Sequence, residues 1–261
     1  MTLTELISSI DIAQQKTLSG GITCKGLKII EVGKTELRIS GVVTITLKVW
    51  DLTNKGNAKL GRLMTVTQKL ITSKLTGPSS AKEVFLQKYD TKKNSFDGRA
   101  AAFYSLNYDI TYIVKVQEIE MVTQLHENDF VLAVVDYIAY NNYKGNGTQG
   151  LTVGTGGPAT VSYSNWVRDP LIGTHEFFHT LDLNDIDNKE QVKRLMYNKG
   201  DRLGAVITEN ERSRMNSYIM TKLELMAKGS YSNPSLNTVI RLRNFLKNPT
   251  YGFQYNKAKF K

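Results

Sequence analysis

Cysteine is almost absent from this 261-residue chain: Cys24 stands alone. That excludes an internal disulfide framework and any CxxC-based zinc or redox site. Histidine is nearly as scarce, with His126, His175 and His179 the whole set. Long apolar runs are missing too. The longest, Phe130 to Val135, is cut by Asp136, far short of the roughly 20 residues of a membrane helix. Met1 to Thr17 holds no basic stretch followed by an apolar one, so no secretory signal is expected there. Acidic residues are in deficit, 24 against 34 Lys+Arg, for a net charge of +10. Such an excess is either a solvated basic surface or an attraction to nucleic acid, acidic lipid or acidic protein. It is partly local. From Arg241 to Lys261 the basic residues are Arg241, Arg243, Lys247, Lys257, Lys259 and Lys261, with no acid among them and Tyr251, Phe253, Tyr255 and Phe260 interleaved.

What is present is ordinary for a globular chain: 41% hydrophobic and 22% charged residues, which argues against disorder. The length allows one large domain or two small ones. Leu37, Ile39, Gly41, Val43, Ile45, Leu47 and Val49 alternate with mostly polar neighbours, the period of a half-buried strand, bent at Gly41. Residues 61–75 read as a helix, and 76–99 as loop around a short helical stretch. Ile110, Tyr112, Val114 and Val116 share one face of a second strand. Phe130 to Val135, apolar at every position, suits a strand covered on both sides. A glycine-rich stretch, Gly145 to Gly157, leads into Ala159 to Tyr163, which reads as an edge strand because Pro158 precedes it. Asp169-Pro170 is a helix start, with that helix running to about Leu181. Thr208 and Glu211 form a capping box for a helix carrying Met215, Ile219, Leu223 and Met226 on one face. A last helix spans 235–247. Strands interleaved with helices, followed by a helical C-terminal part, predict an α/β (α+β) fold.

The helix after Asp169 carries His175-Glu176-Phe177-Phe178-His179. Histidines four apart lie on one helix face, where a single ion can bind both. Glu176 adjoins that face, within reach of a water on the ion. His126, alone in a polar turn, reads as a surface residue. A catalytic zinc site needs a third protein ligand and an open fourth position. The carboxylates of Asp182, Asp185 and Asp187 follow the helix, and Glu209 and Glu211 lie on the next one.

From His175 to Asp185 the chain reads HEFFHTLDLND, and Leu195-Met196-Tyr197 follows. This resembles the metzincin zinc peptidases, whose pattern is HExxHxxGxxH with Asp in place of the last His in some members, and whose downstream Met-turn lies beneath the metal. The resemblance covers about 37–229, with its specific part in 175–197. It implies a twisted mixed sheet bearing the active-site helix and a smaller, mainly helical C-terminal subdomain. The divisions are then a lead-in at 1–30, a catalytic subdomain at 31–182, and 183–261 with the third ligand, Met-turn, helix and basic tail. It further implies one catalytic Zn2+ on His175, His179 and Asp185, Met196 in the Met-turn, and Glu176 activating a zinc-bound water to hydrolyse peptide bonds. Extended substrate would lie along Ala159, Thr160 and Val161. The family's Gly is Asp182 here, a residue type that tolerates left-handed backbone better than most. Gluzincin peptidases share HExxH but take a downstream Glu as third ligand, for which Glu211 is the candidate. A non-catalytic basic binding module is the third reading. Domains of this size also resemble the metallopeptidase modules at the C-termini of large bacterial toxins, so secretion or delivery as an effector is favoured over residence in the cytoplasm. The expected partner is a protein or peptide substrate of a monomeric enzyme with no membrane span. Nucleic acid is not expected, although the basic tail could meet an anionic partner.

Overall fold

The computed structural model describes residues 21–56, 60–85, 88–90, 95–97, 102–140, 149–154, 156–183, 207–227 and 237–260. They form a mixed α/β structure with a curled sheet and five helices. The main strands are β1 (Ile22–Gly33), β2 (Glu36–Asp51), β3 (Ser79–Phe85), β6 (Ala102–Ile119), β7 (Phe130–Val135), β9 (Gly150–Thr152) and β10 (Ala159–Ser162). Two short pairs, β4 (Lys88–Asp90) with β5 (Ser95–Asp97) and β8 (Tyr137–Ile138) with β11 (Phe253–Gln254), stand outside the main sheet. The helices are α1 (Leu60–Leu75), α2 (Tyr163–Arg168), α3 (Leu171–Thr180), α4 (Glu209–Ala227) and α5 (Thr238–Lys247).

The sheet order is β3-β6-β2-β7-β10-β9, with β1 also paired to β2. The centre, β6-β2-β7-β10, is parallel, while β1, β3 and β9 join it antiparallel. Strand β2 is long enough to serve two partners on one side. Its first half pairs with β1, and Leu47 to Asp51 pair with β7. The bend expected at Gly41 is where β1 slips register between Lys25 and Lys28. A Cβ at Gly41 would come within 2.8 Å of the Gly26 carbonyl and Leu27 Cα, so only glycine lets the two backbones close there.

The alternation in β2 and β7 sorts side chains into two cores. Ile45, Leu47, Val49, Phe130, Leu132 and Val134 face the core shared with α1, α3 and α4. Trp50, Leu52, Val131, Ala133 and Val135 face a second core closed by Leu242 and Leu246 of α5. All six residues of β7 are buried, as a continuous apolar strand requires. The C-terminal aromatics complete the second core: Phe260 packs on Trp50 with centroids 4.8 Å apart, and Phe253 meets Phe245 edge-on at 4.9 Å. The aromatic residues of the basic tail are thus packed, half-buried, onto the second core.

Several local expectations hold. Helix α1 and strand β6 lie where periodicity put them. Thr208 and Glu211 cap α4 reciprocally, with Glu211 Oε2 accepting from the Thr208 amide at 2.7 Å. Other expectations need correcting. The segment 76–99, read as loop and short helix, contributes β3, which pairs along β6, and the β4–β5 pair. Ala81, Lys82 and Glu83 are good helix formers, but local propensity yields to pairing along the edge of β6. Residues 22–30, placed in the lead-in, are sheet: β1 pairs with β2 from Ile22 onward. Strand β10, expected at an edge, lies between β7 and β9 with all four residues buried. Pro158 misled because it precedes the ladder. Its carbonyl accepts from Val153 at 3.3 Å, and the Val153 carbonyl that a proline cannot reach accepts from Arg241 instead. Among the described residues no helix is long and apolar enough to cross a membrane.

Candidate active site

Helix α3 packs its apolar side against the sheet. Ile172, Gly173, Thr174, Glu176, Phe177, Phe178 and Thr180 are buried, and Phe177 stacks edge-on against Phe130 of β7 at 5.5 Å. What stays half-buried is a stripe four residues apart, Leu171, His175 and His179. The helix starts one residue later than expected, at Leu171 with Pro170 before it, and Asp169 Oδ1 accepts from the Leu171 amide at 3.0 Å.

Its end decides the geometry of the histidines. Asp182 has φ +72°, the one positive φ at a non-glycine among the described residues. The Asp182 amide donates to His179 O at 3.2 Å and the Leu183 amide to Phe178 O at 3.2 Å. This is a Schellman turn with Asp in the left-handed position usually held by glycine. Its carboxylate is engaged by Arg214 of α4 at 3.1 Å. The turn carries Leu183 back under the helix, where its side chain is buried and its carbonyl lies 2.6 Å from His179 Nδ1. A carbonyl can only accept, so Nδ1 carries the proton and Nε2 is the acceptor nitrogen of that ring. Nε2 of His179 lies 2.9 Å from Nε2 of His175, with the rings perpendicular at 89°.

Two imidazole nitrogens on one tetrahedral zinc, each at about 2.0–2.1 Å, stand about 3.3 Å apart. The observed 2.9 Å is within about 0.4 Å of that, and one ring already has its other nitrogen bound to a carbonyl, the usual support of a metal-binding histidine. The donor chemistry therefore fits a zinc-like ion. Among the described residues no group of three His, Cys, Asp or Glu is gathered as a metal site. Asp185, Asp187 and Met196 lie outside the described residues. Of the rival carboxylates, Asp182 is held by Arg214, Glu211 caps α4, and Glu209 accepts from the Ser80 hydroxyl at 2.6 Å.

Glu176 turns toward the sheet edge. It is 5% exposed, and its Oε2 accepts from the Thr152 hydroxyl of β9 at 2.6 Å. Across from it Gly150 is bare, and a Cβ there would fall 2.5 Å from Glu176 Oε1. Strand β9 is the end strand of the sheet, with β10 on its inner side. Gln149 O accepts from Ser162 N and Val153 N donates to Pro158 O. The antiparallel alternation therefore turns the amides and carbonyls of Gly150 and Thr152 away from β10. The loop after β9 is gripped from two sides. Gly156 N donates to Thr180 O at the end of α3, and Arg241 of α5 donates to the Gly156 and Val153 carbonyls at 2.7 and 3.3 Å.

Sequence reasoning missed Thr152, Gly150 and Arg241. Two of them sit in a glycine-rich stretch whose pattern carries no strand signal. His126 is exposed, as expected. Cys24 is half-buried in β1, its thiol pKa pushed up by burial. No family model, no curated protein and no solved structure matches this chain.

Proposed function

We propose that this chain is a zinc-dependent endopeptidase of metzincin type. The observation that carries the reading is the convergence of His175 and His179 through Nε2, with His179 Nδ1 bound to the Leu183 carbonyl. His175 and His179 would hold the ion, with Asp185 as the third ligand. Asp182 in the left-handed turn supports that pattern, because it occupies the place of the family's glycine. When bound, zinc supplies a Lewis acid that lowers the pKa of water and polarises a carbonyl. Glu176 is the general base: anchored by Thr152, it takes the proton of the attacking water and returns it to the leaving amine. Its burial excludes competing water from the proton path.

The resemblance implies substrate on an edge strand, and because β9 and not β10 ends the sheet, β9 would take that role. An extended peptide adding to β9 would pair with the outward amides and carbonyls of Gly150 and Thr152, the residues that touch Glu176. The gluzincin alternative lacks this support, since Glu211 is spent on its helix cap.

The test is metal analysis of the purified chain together with casein cleavage, with and without a zinc chelator. Near-stoichiometric zinc and chelator-sensitive cleavage are expected. The Glu176→Ala variant should keep its zinc and lose cleavage; unchanged cleavage in that variant would remove the enzyme reading.

A further inference from the structure

We propose that the cavity beside the C-terminal end of α5 is a nucleotide-binding site, its aromatic floor taking the base and its rim of Arg243, Lys247 and Lys257 taking the phosphates. The cavity encloses about 540 Å³, within the roughly 300–1,000 Å³ of small-ligand pockets. Phe253, Tyr255 and Phe260 contribute half-buried rings to its lining, while the three cations at its mouth are exposed. No acidic residue lines it.

Charge is what selects the ligand. Elsewhere in the described structure Lys48 pairs with Asp129, Arg214 with Asp182 and Lys259 with Asp51. Among the described residues none of Arg243, Lys247 and Lys257 has an acidic partner. Three like charges held around one concavity repel one another, and a bound anion relieves that repulsion. Their positions are not accidents of a mobile tail, because the floor beneath them is locked into the second core by Trp50–Phe260 stacking and the β8–β11 pair. Arg243 lies over the Phe260 ring, 5.7 Å from its centroid, which ties one of the rim cations to the rigid floor. A simple anion would leave the aromatic floor unused, and an acidic peptide offers no flat face for it. A nucleotide supplies both a planar base and two or more negative charges, either as a free molecule or as one residue of a single strand.

The experiment is calorimetric titration of the full chain with ADP, adenosine, inorganic phosphate and a glutamate-rich peptide. Competition by a short single-stranded oligonucleotide follows. ADP should bind at least about tenfold more tightly than adenosine or phosphate, and its affinity should fall as salt rises. Displacement by the oligonucleotide assigns the site to a nucleic-acid strand, and lack of displacement assigns it to the free nucleotide; both support the site. The Arg243→Glu/Lys257→Glu variant should lose about tenfold or more in ADP affinity. Circular dichroism checks its fold, and single Lys247→Gln and Arg243→Gln variants serve if it unfolds. Absence of ADP binding, equal binding by phosphate or by the acidic peptide, or affinity unchanged in the variants overturns the proposal. None of these outcomes depends on peptidase activity.

Discussion

The Thr152 hydroxyl lies 2.6 Å from Oε2 of Glu176 and 3.1 Å from the carbonyl of the same residue, so its single proton goes to the nearer carboxylate oxygen and one strand residue orients the proposed general base. A threonine on the edge strand and a glutamate 24 residues later in α3 become a single positioned unit.

Thr152→Val keeps the shape and removes the hydroxyl. Its kcat for peptide cleavage should fall by roughly tenfold to a hundredfold, in line with the loss of one well-placed orienting bond. Zinc content should not change, and Thr152→Ser should restore most of the rate. A Thr152→Val enzyme as fast as the parent would show that Glu176 needs no such anchor.

Asp185 is the third ligand in the proposed centre. Asp185→Ala should lower zinc affinity at least tenfold, measured by competition with a chelating dye. Asp182→Asn and Glu211→Gln should leave it unchanged, because both carboxylates are engaged elsewhere. Loss of zinc in Glu211→Gln instead would favour the gluzincin arrangement.

The left-handed turn at Asp182 has its own stability signature. Asp182→Val forces a β-branched residue into φ +72° and should cost about 1–2 kcal/mol in urea unfolding. Asp182→Gly suits the backbone and gives up only an exposed ion pair worth about 0–1 kcal/mol, so it should be close to neutral. A neutral Asp182→Val would mean the turn is not built as described.

Asp129 lies at the start of β7 with its side chain 1% exposed, 2.7 Å from Lys48 Nζ. Asp129→Ala leaves Lys48 buried without that partner, and a loss of about 3–5 kcal/mol is expected. Denaturant midpoints will measure it; a loss below 1 kcal/mol would show that Lys48 finds water instead.

Lys222 of α4 is buried, its ammonium 3.7 Å above the Phe130 ring. Burial, helped by nearby Arg241 and opposed by Asp129, lowers its pKa from 10.5 to about 7. Above that value the folded amine is neutral while the unfolded one still binds a proton. The unfolded state therefore binds more protons between about pH 7 and 10.5, and this residue makes stability rise with pH across that window. The cost of burying the charge is complete below pH 7. Urea unfolding of the Lys222→Met variant should show a shallower rise, with the parent gaining up to a few kcal/mol on it from pH 7 to 10. Parallel curves for the two proteins would mean the amine is not desolvated.

Local chemistry in the chain was enough for several elements. The unbroken apolar run of β7 announced a strand covered on both faces, the Thr208–Glu211 box announced the start of α4, and spacing alone put His175 and His179 on one face of a helix. Each of these depends on residues within a turn or two of one another, where periodicity and capping act directly. The tertiary structure decided what lies across the sheet. It placed β9 rather than β10 at the edge, turned part of a segment read as loop and short helix into strand β3 on β6, and brought Thr152 under Glu176 and Arg241 onto the loop behind it. Strand order and edge position come from pairings between distant segments, competing through backbone hydrogen bonds that any residue can make. No side-chain pattern within one segment records which neighbour it will find.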